Sequence, residues 1–117
     1  MSNPIAFCER SQSLEDLLTQ RPLVVLNFTA EWSGPCACIK REVDRLAAAY
    51  SQQLTVVEID IDRNPNTVRE MGIASLPTVS IVWLQERVEQ FVGLHACEDF
   101  EAAIAKTYAR QAFATAA

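Results

Sequence analysis

Phe28-Thr29-Ala30-Glu31-Trp32-Ser33-Gly34-Pro35-Cys36 is the stretch on which the fold turns. Before it, Leu23 to Phe28 is an apolar run of strand length, broken only by Asn27. Such a run reads as a strand buried on both faces, in the middle of a sheet flanked by helices. After it, from Pro35 to Tyr50, the apolar positions switch to helical spacing. Ile39, Val43, Leu46, Ala47 and Tyr50 share one stripe, and Lys40, Arg41, Glu42, Asp44 and Arg45 fill the rest. The stretch therefore lies where a central strand hands over to a helix, at the carboxyl end of the sheet, where α/β proteins place their sites.

Working outward, the same alternation continues. Ile5 to Cys8 reads as a short strand, and Ser13 with Asp16 three residues on reads as a capping box that opens a helix through about Gln20. Leu14, Leu17 and Leu18 form the buried face of that helix. Thr55 to Ile61 follows the strand period, with Val57, Ile59 and Ile61 on one side and Val56, Glu58 and Asp60 on the other. Asn64-Pro65 starts a short helix that Gly72 ends. Thr78 to Leu84 and Arg87 to Val92 read as two strands joined by a tight Gln85-Glu86 connection. Glu98 to Phe113 closes the chain as a helix with Phe100, Ala103, Ile104, Thr107, Tyr108 and Gln111 inward. Parallel βαβ units early and an antiparallel pair late predict a three-layer α/β sandwich with a mixed sheet, as one domain over residues 1–117.

Composition narrows the functions available. At 117 residues, half of them apolar and 21% charged, the chain can bury one core without metal or disulfide staples. Fifteen acidic against ten basic residues give a net charge of −5, which argues against nucleic acid as a partner. No apolar run approaches the roughly 20 residues of a membrane span, and no basic segment followed by a long apolar one opens the chain. A cytoplasmic or equivalent reducing location is expected, with no membrane partner. The four cysteines, Cys8, Cys36, Cys38 and Cys97, do not have the spacing of a secreted disulfide scaffold.

At the strand-to-helix junction the sequence resembles the thioredoxin family, whose signature there is Trp-Cys-Gly-Pro-Cys; this chain reads Trp32-Ser33-Gly34-Pro35-Cys36. Gly72-Ile73-Ala74-Ser75-Leu76-Pro77-Thr78 is similar to the family segment that carries a cis-proline opposite the redox motif. Asp60-Ile61-Asp62 with Asn64-Pro65, and later Val92-Gly93, fall at family-like separations, so the resemblance runs ungapped from about Leu23 to Ile104. It implies a thioredoxin-like α/β/α sandwich and thiol–disulfide exchange on partner proteins in cell redox homeostasis. It further implies a monomer, no cofactor, no metal, and a thioredoxin reductase as electron source. It also implies a flat docking patch for extended partner segments at Trp32, Gly34, Pro35, Leu76, Pro77 and Gly93.

The sequence departs from the family at the chemistry itself. The position of the family's nucleophilic cysteine is Ser33. Exchange needs a thiolate, and a helix dipole effect of about 1 kcal/mol does not make a serine hydroxyl an alkoxide. Nor can Ser33 form a disulfide. Asn27 stands where the family commonly has a buried Asp thought to relay protons, and Glu58 where many members have Lys. An engineered change would account for Ser33 alone, so the three together read as a naturally altered site.

Cys36 matches the resolving cysteine, and reads either as a surviving reactive thiol or as a small buried residue. Cys38 lies about 200° round the helix from it, so a Cys36–Cys38 pair requires a distorted first turn. Cys8 and Cys97 read as incidental thiols, although an exposed Cys97 would be open to modification or to pairing between chains, and in an oxidoreductase Cys38 or Cys97 is the possible second thiol beside Cys36. His95 and Cys97 together with Cys36 and Cys38 supply four zinc-type ligands at atypical spacing, and metal binding is not expected. Ser33, Cys36 and Cys38 are thus the candidate catalytic positions. Two functions follow: an oxidoreductase-family protein with weak or absent dithiol turnover, or a binding module that keeps only the docking groove.

Overall fold

The computed structural model describes residues 5–8 and 11–116, with side chains placed from Leu14 to Gln111. The elements are β1 (Ile5–Cys8), α1 (Ser11–Gln20), β2 (Leu23–Thr29), α2 (Gly34–Ala49), β3 (Thr55–Asp60), α3 (Pro65–Glu70), β4 (Thr78–Trp83), β5 (Glu86–Val92) and α4 (Cys97–Ala116). They form one five-stranded sheet in the order β1-β3-β2-β4-β5. β1, β3 and β2 run parallel, and β4 and β5 add antiparallel strands at the other side. This is the mixed sheet that the sequence pattern predicts, with β2 at its centre.

β2 is buried from Leu23 through Phe28 because both of its faces are covered. Leu23 and Val25 join Val56, Val79 and Ile81 in a cluster with Ile39, Val43, Leu46 and Ala47 of α2 and Phe100, Ala103 and Ile104 of α4. Val24, Leu26 and Phe28 face the other way, into a cluster with Val57, Ile59 and Val82 closed by Leu14 of α1. Leu17, Leu18 and Val68 complete that second layer from α1 and α3. The period of two along β2 thus builds both cores of the sandwich at once. Among the described residues no helix is long and apolar enough to cross a membrane.

Several boundaries shift by one to three residues from expectation, α4 running from Cys97 to Ala116 and α2 from Gly34 to Ala49. α1 begins at Ser11, so Ser13 lies inside the first turn and not at the cap. β3 ends at Asp60, one residue short of Ile61. The hairpin turns at Leu84-Gln85, both at positive φ (48° and 71°), as a two-residue I′-type turn requires, while Glu86 already pairs with Trp83. Neither Leu nor Gln is a usual turn residue, which is why the turn was displaced by one. The Leu84 N–H donates to Pro22 O at 2.8 Å and ties the turn to the start of β2.

α4 lies over the first cluster. Phe100, Ala103, Ile104 and Thr107 are buried as expected, and Tyr108 instead lies near the rim. There its ring packs edge-on against Trp83 at 5.6 Å and its hydroxyl donates to Gln53 O at 2.7 Å. Tyr50, at the end of α2, donates to Glu101 Oε2 at 2.5 Å and links the two helices. That carboxylate raises the Tyr50 phenol above its ordinary range.

Candidate functional site

The site grows from the turn between β2 and α2. The Ser33 N–H donates to Ala30 O at 3.2 Å, which closes the turn after the strand. Ser33 has extended backbone angles (φ −97°, ψ 116°) and is the N-cap of α2; its Oγ accepts from the Cys36 N–H at 3.4 Å. Pro35 occupies the first turn, where its missing N–H costs nothing. Serine is a favoured N-cap residue, so at this position it performs a structural task.

Cys36 follows with 2% of its surface exposed, on the side of α2 that carries Ile39 and Val43 into the core. Cys38 is exposed, and both are free thiols. The two therefore face opposite sides of a helix that begins at Gly34, and joining them would require its first turn to unwind. A cavity of about 450 Å³ opens beside Cys36 and Ser33, with Lys40, Glu58, Asp60 and Arg63 among its walls. Lys40 Nζ reaches Asp44 at 3.1 Å and Glu58 at 3.9 Å. Both contacts are half-exposed and of the kind that contributes little to stability. Asn27 is the register partner of Glu58 and is 2% exposed; its Oδ1 has no hydrogen-bond partner among the described residues.

The expected docking residues separate in the structure. Trp32 is 70% exposed, and its Nε1 donates to Asp62 Oδ2 at 2.9 Å. Asp62 is itself held by its N–H donating to Asp60 Oδ1 at 2.8 Å. Gly34 and Pro35 are also exposed, whereas Leu76 and Gly93 are half-covered and the Pro77 ring is buried. Leu76 packs against the second core cluster, and the Leu76-Pro77 peptide is cis. Pro77 therefore shapes the backbone at this surface and does not present its ring to it. Gly93 takes φ +89°, open to glycine, and its N–H donates to Pro77 O at 2.9 Å.

Cys97 is not open to modification. As the first residue of α4 it turns inward and is 3% exposed, and its N–H donates to Glu42 Oε1 at 2.9 Å. Burial pushes its thiol up, and Glu101 adds to the effect. The side chain of Cys8 lies outside the described residues. His95 contacts Asp99 Oδ2 and Val92 O at 3.3 Å and packs against Phe91, so it is a satisfied histidine. Among the described residues no group of three or more His, Cys, Asp or Glu side chains is placed to hold a metal. Sequence reasoning missed Val92 and Leu94, which flank Gly93 and are exposed. Leu94 and Val92 are large exposed apolar residues flanking a glycine, and that was the available signal.

A family model described as Thioredoxin matches residues 6–106. The thioredoxin of Griffithsia pacifica is 38% identical over 79 residues, covering 68% of this chain and 72% of that protein. The bifunctional thioredoxin reductase/thioredoxin of Mycobacterium leprae is 33% identical over 78 residues, covering 67% of this chain and 17% of that protein. Among solved structures, the reduced Schistosoma mansoni thioredoxin pre-protein superposes with a TM-score of 0.78 at 31% identity, covering 87% of this chain and 96% of that one.

Proposed function

This chain belongs to the thioredoxin family of thiol–disulfide oxidoreductases, and from that premise we propose that it engages partner proteins at the family surface with little or no dithiol turnover of its own. The observation that carries this reading is Ser33, whose hydroxyl caps α2 where the attacking thiol would stand. Dithiol exchange has two steps. A motif thiolate first attacks a partner disulfide, forming a mixed disulfide and releasing one partner sulfur as thiolate. The second motif thiolate then attacks the motif sulfur, closes an intramolecular disulfide and releases the other partner sulfur. With Ser33 in place neither the mixed disulfide at the first position nor the closing bond can form. Cys36 retains a thiol, but with 2% exposure it meets a partner disulfide only through local opening.

Docking does not depend on that missing thiol. Trp32 and Pro35 supply exposed apolar surface, and the backbone at Leu76 lies beside Gly93, where an extended segment can pair in strand fashion. The protein is read as a monomer working in a reducing compartment, since its cysteines lack the spacing of a secreted disulfide scaffold. A thioredoxin reductase, the activity joined to thioredoxin in the Mycobacterium leprae relative, would feed it only if the dithiol were restored.

Reduction of a protein disulfide substrate with dithiothreitol tests the reading. The chain as it stands is expected to remain at background, and Ser33→Cys to give sustained turnover. Equal turnover by both proteins would overturn the reading and assign the couple to Cys36 and Cys38.

A further inference from the structure

We propose that His95 is a pH-sensitive latch on the segment between β5 and α4. As an imidazolium it joins Val92 to Asp99 and fixes Gly93–Leu94, and on losing its proton it releases one of the two. The consequence for partner binding rests on the docking function proposed above; the latch itself does not.

His95 is the one histidine of the chain, and its ring bridges two acceptors. Nδ1 lies 3.3 Å from Asp99 Oδ2, and Nε2 lies 3.3 Å from Val92 O. A carboxylate and a carbonyl oxygen only accept, so each contact is a hydrogen bond only where the facing nitrogen carries a proton. A neutral imidazole has one N–H and makes one of the two bonds, while its other nitrogen turns a lone pair toward an oxygen. The imidazolium has two N–H groups and makes both. The arrangement is therefore complete in the charged form alone.

The groups around the ring come from three elements. α4 supplies the Asp99 carboxylate, held in place by the Ala96 N–H at 3.2 Å, and the buried Phe100 ring at 6.4 Å. α2 supplies Arg41, Glu42 and the Cys38 thiol, which share with His95 and Leu94 a groove of about 490 Å³. Glu42 accepts there from the Cys97 N–H at 2.9 Å and from Arg45 at 3.3 Å. β5 supplies the Phe91 ring, edge-on at 5.0 Å, and the Val92 carbonyl. Among the described lining residues the charges facing His95 are thus one guanidinium and two carboxylates, so the charged ring meets no excess of like charge. The ring is part-exposed, and protons reach it from solvent.

What the latch encloses is the loop Val92-Gly93-Leu94-His95. Its Gly93 has φ +89° and is the most permissive residue of the loop, and Leu94 beside it is 63% exposed. With both bonds made, the ring closes this loop on Val92 O and pins it to the first turn of α4 through Asp99. With one bond made, the loop is either open at Val92 or loose from α4. A surface that is already ordered loses less conformational freedom when an extended segment binds to it. Docking should therefore be tighter where His95 is protonated and weaken as pH rises through the histidine range.

Amide hydrogen exchange of the full chain, followed by NMR, reads the latch at Gly93, whose N–H donates to Pro77 O at 2.9 Å. Its protection, corrected for the intrinsic exchange rate, should be about fivefold higher near about pH 5.5 than near about pH 8, the worth of one hydrogen bond, and should fall together with the titration of the His95 ring. His95→Gln should remove that step. Asp99→Asn keeps the histidine and an acceptor for the Ala96 N–H, and should shrink it. A step that survives in His95→Gln, or a ring that titrates while Gly93 protection stays constant, overturns the latch. A second arm uses an end-blocked extended peptide with a central Leu and no titratable side chain, its binding followed by fluorescence of the exposed Trp32. It should bind more tightly at the lower pH by a similar factor. Equal binding at both pH values, with the Gly93 step present, overturns the control of docking by His95. No binding at either pH, with the step present, overturns the docking function and supports the latch alone.

Discussion

Cys36 and Cys97 are both in the first turn of a helix, and both are buried, at 2% and 3% exposure. Their surroundings are opposite. Cys36 borders an open cavity beneath the motif, and the residue before its helix caps it with a hydroxyl. Cys97 is closed between α2 and α4, its N–H held by Glu42 and its thiol raised by burial and by Glu101. A helix N-terminus favours a thiolate in general, yet that position is shared by a residue beside a docking surface and one inside the core. What separates them is what stands next to the sulfur and whether a partner can reach it.

That contrast can be broken or sharpened by substitution. The largest effect is expected for Phe100→Ala, which removes a fully buried ring from the cluster that contains Cys97. It should cost about 3–5 kcal/mol in denaturant unfolding. In the variant Cys97 should gain alkylation rate as the population of open chains rises; a Cys97 that stays unreactive there would mean burial is not what protects it.

Ser33→Ala should cost less, about 1 kcal/mol, through loss of the N-cap, and leave disulfide reduction at background. A variant as stable as the parent would show that the 3.4 Å contact between Ser33 Oγ and the Cys36 N–H is not stabilising. The smallest effect concerns alkali. The Cys97 thiol is raised from its ordinary value of 9.0, so the folded state favours the neutral thiol more than the unfolded chain does. Its contribution is fully present below that ordinary value and is lost as pH rises through the raised one, so stability should fall on the alkaline side. Cys97→Ala should flatten that decline, whereas Cys38→Ala, at an exposed site, should leave it unchanged.

Much of this contrast was legible from residue pattern, and the rest depended on tertiary placement. The apolar run of β2 and the stripe of α2 gave the central βα unit, since both faces of one and one face of the other must be buried. The 200° between Cys36 and Cys38 likewise led to one buried and one exposed thiol. The inward turn of Cys97 was not legible, because it depends on how α4 docks on α2. Pro77 read as part of the docking surface through the family resemblance, yet its ring is covered while its backbone borders Gly93. The groove between Arg41 and Leu94 had no sequence signature, since the fold alone brings those distant residues together.

The central claim, that the motif lacks its attacking thiol and has no second thiol in reach, is tested most directly by counting free thiols with peptide mapping before and after mild oxidation. In the unaltered chain Cys36 and Cys38 should remain separate thiols, and in the Ser33→Cys protein a disulfide should join position 33 to Cys36. An intramolecular Cys36–Cys38 disulfide in the unaltered chain would contradict it.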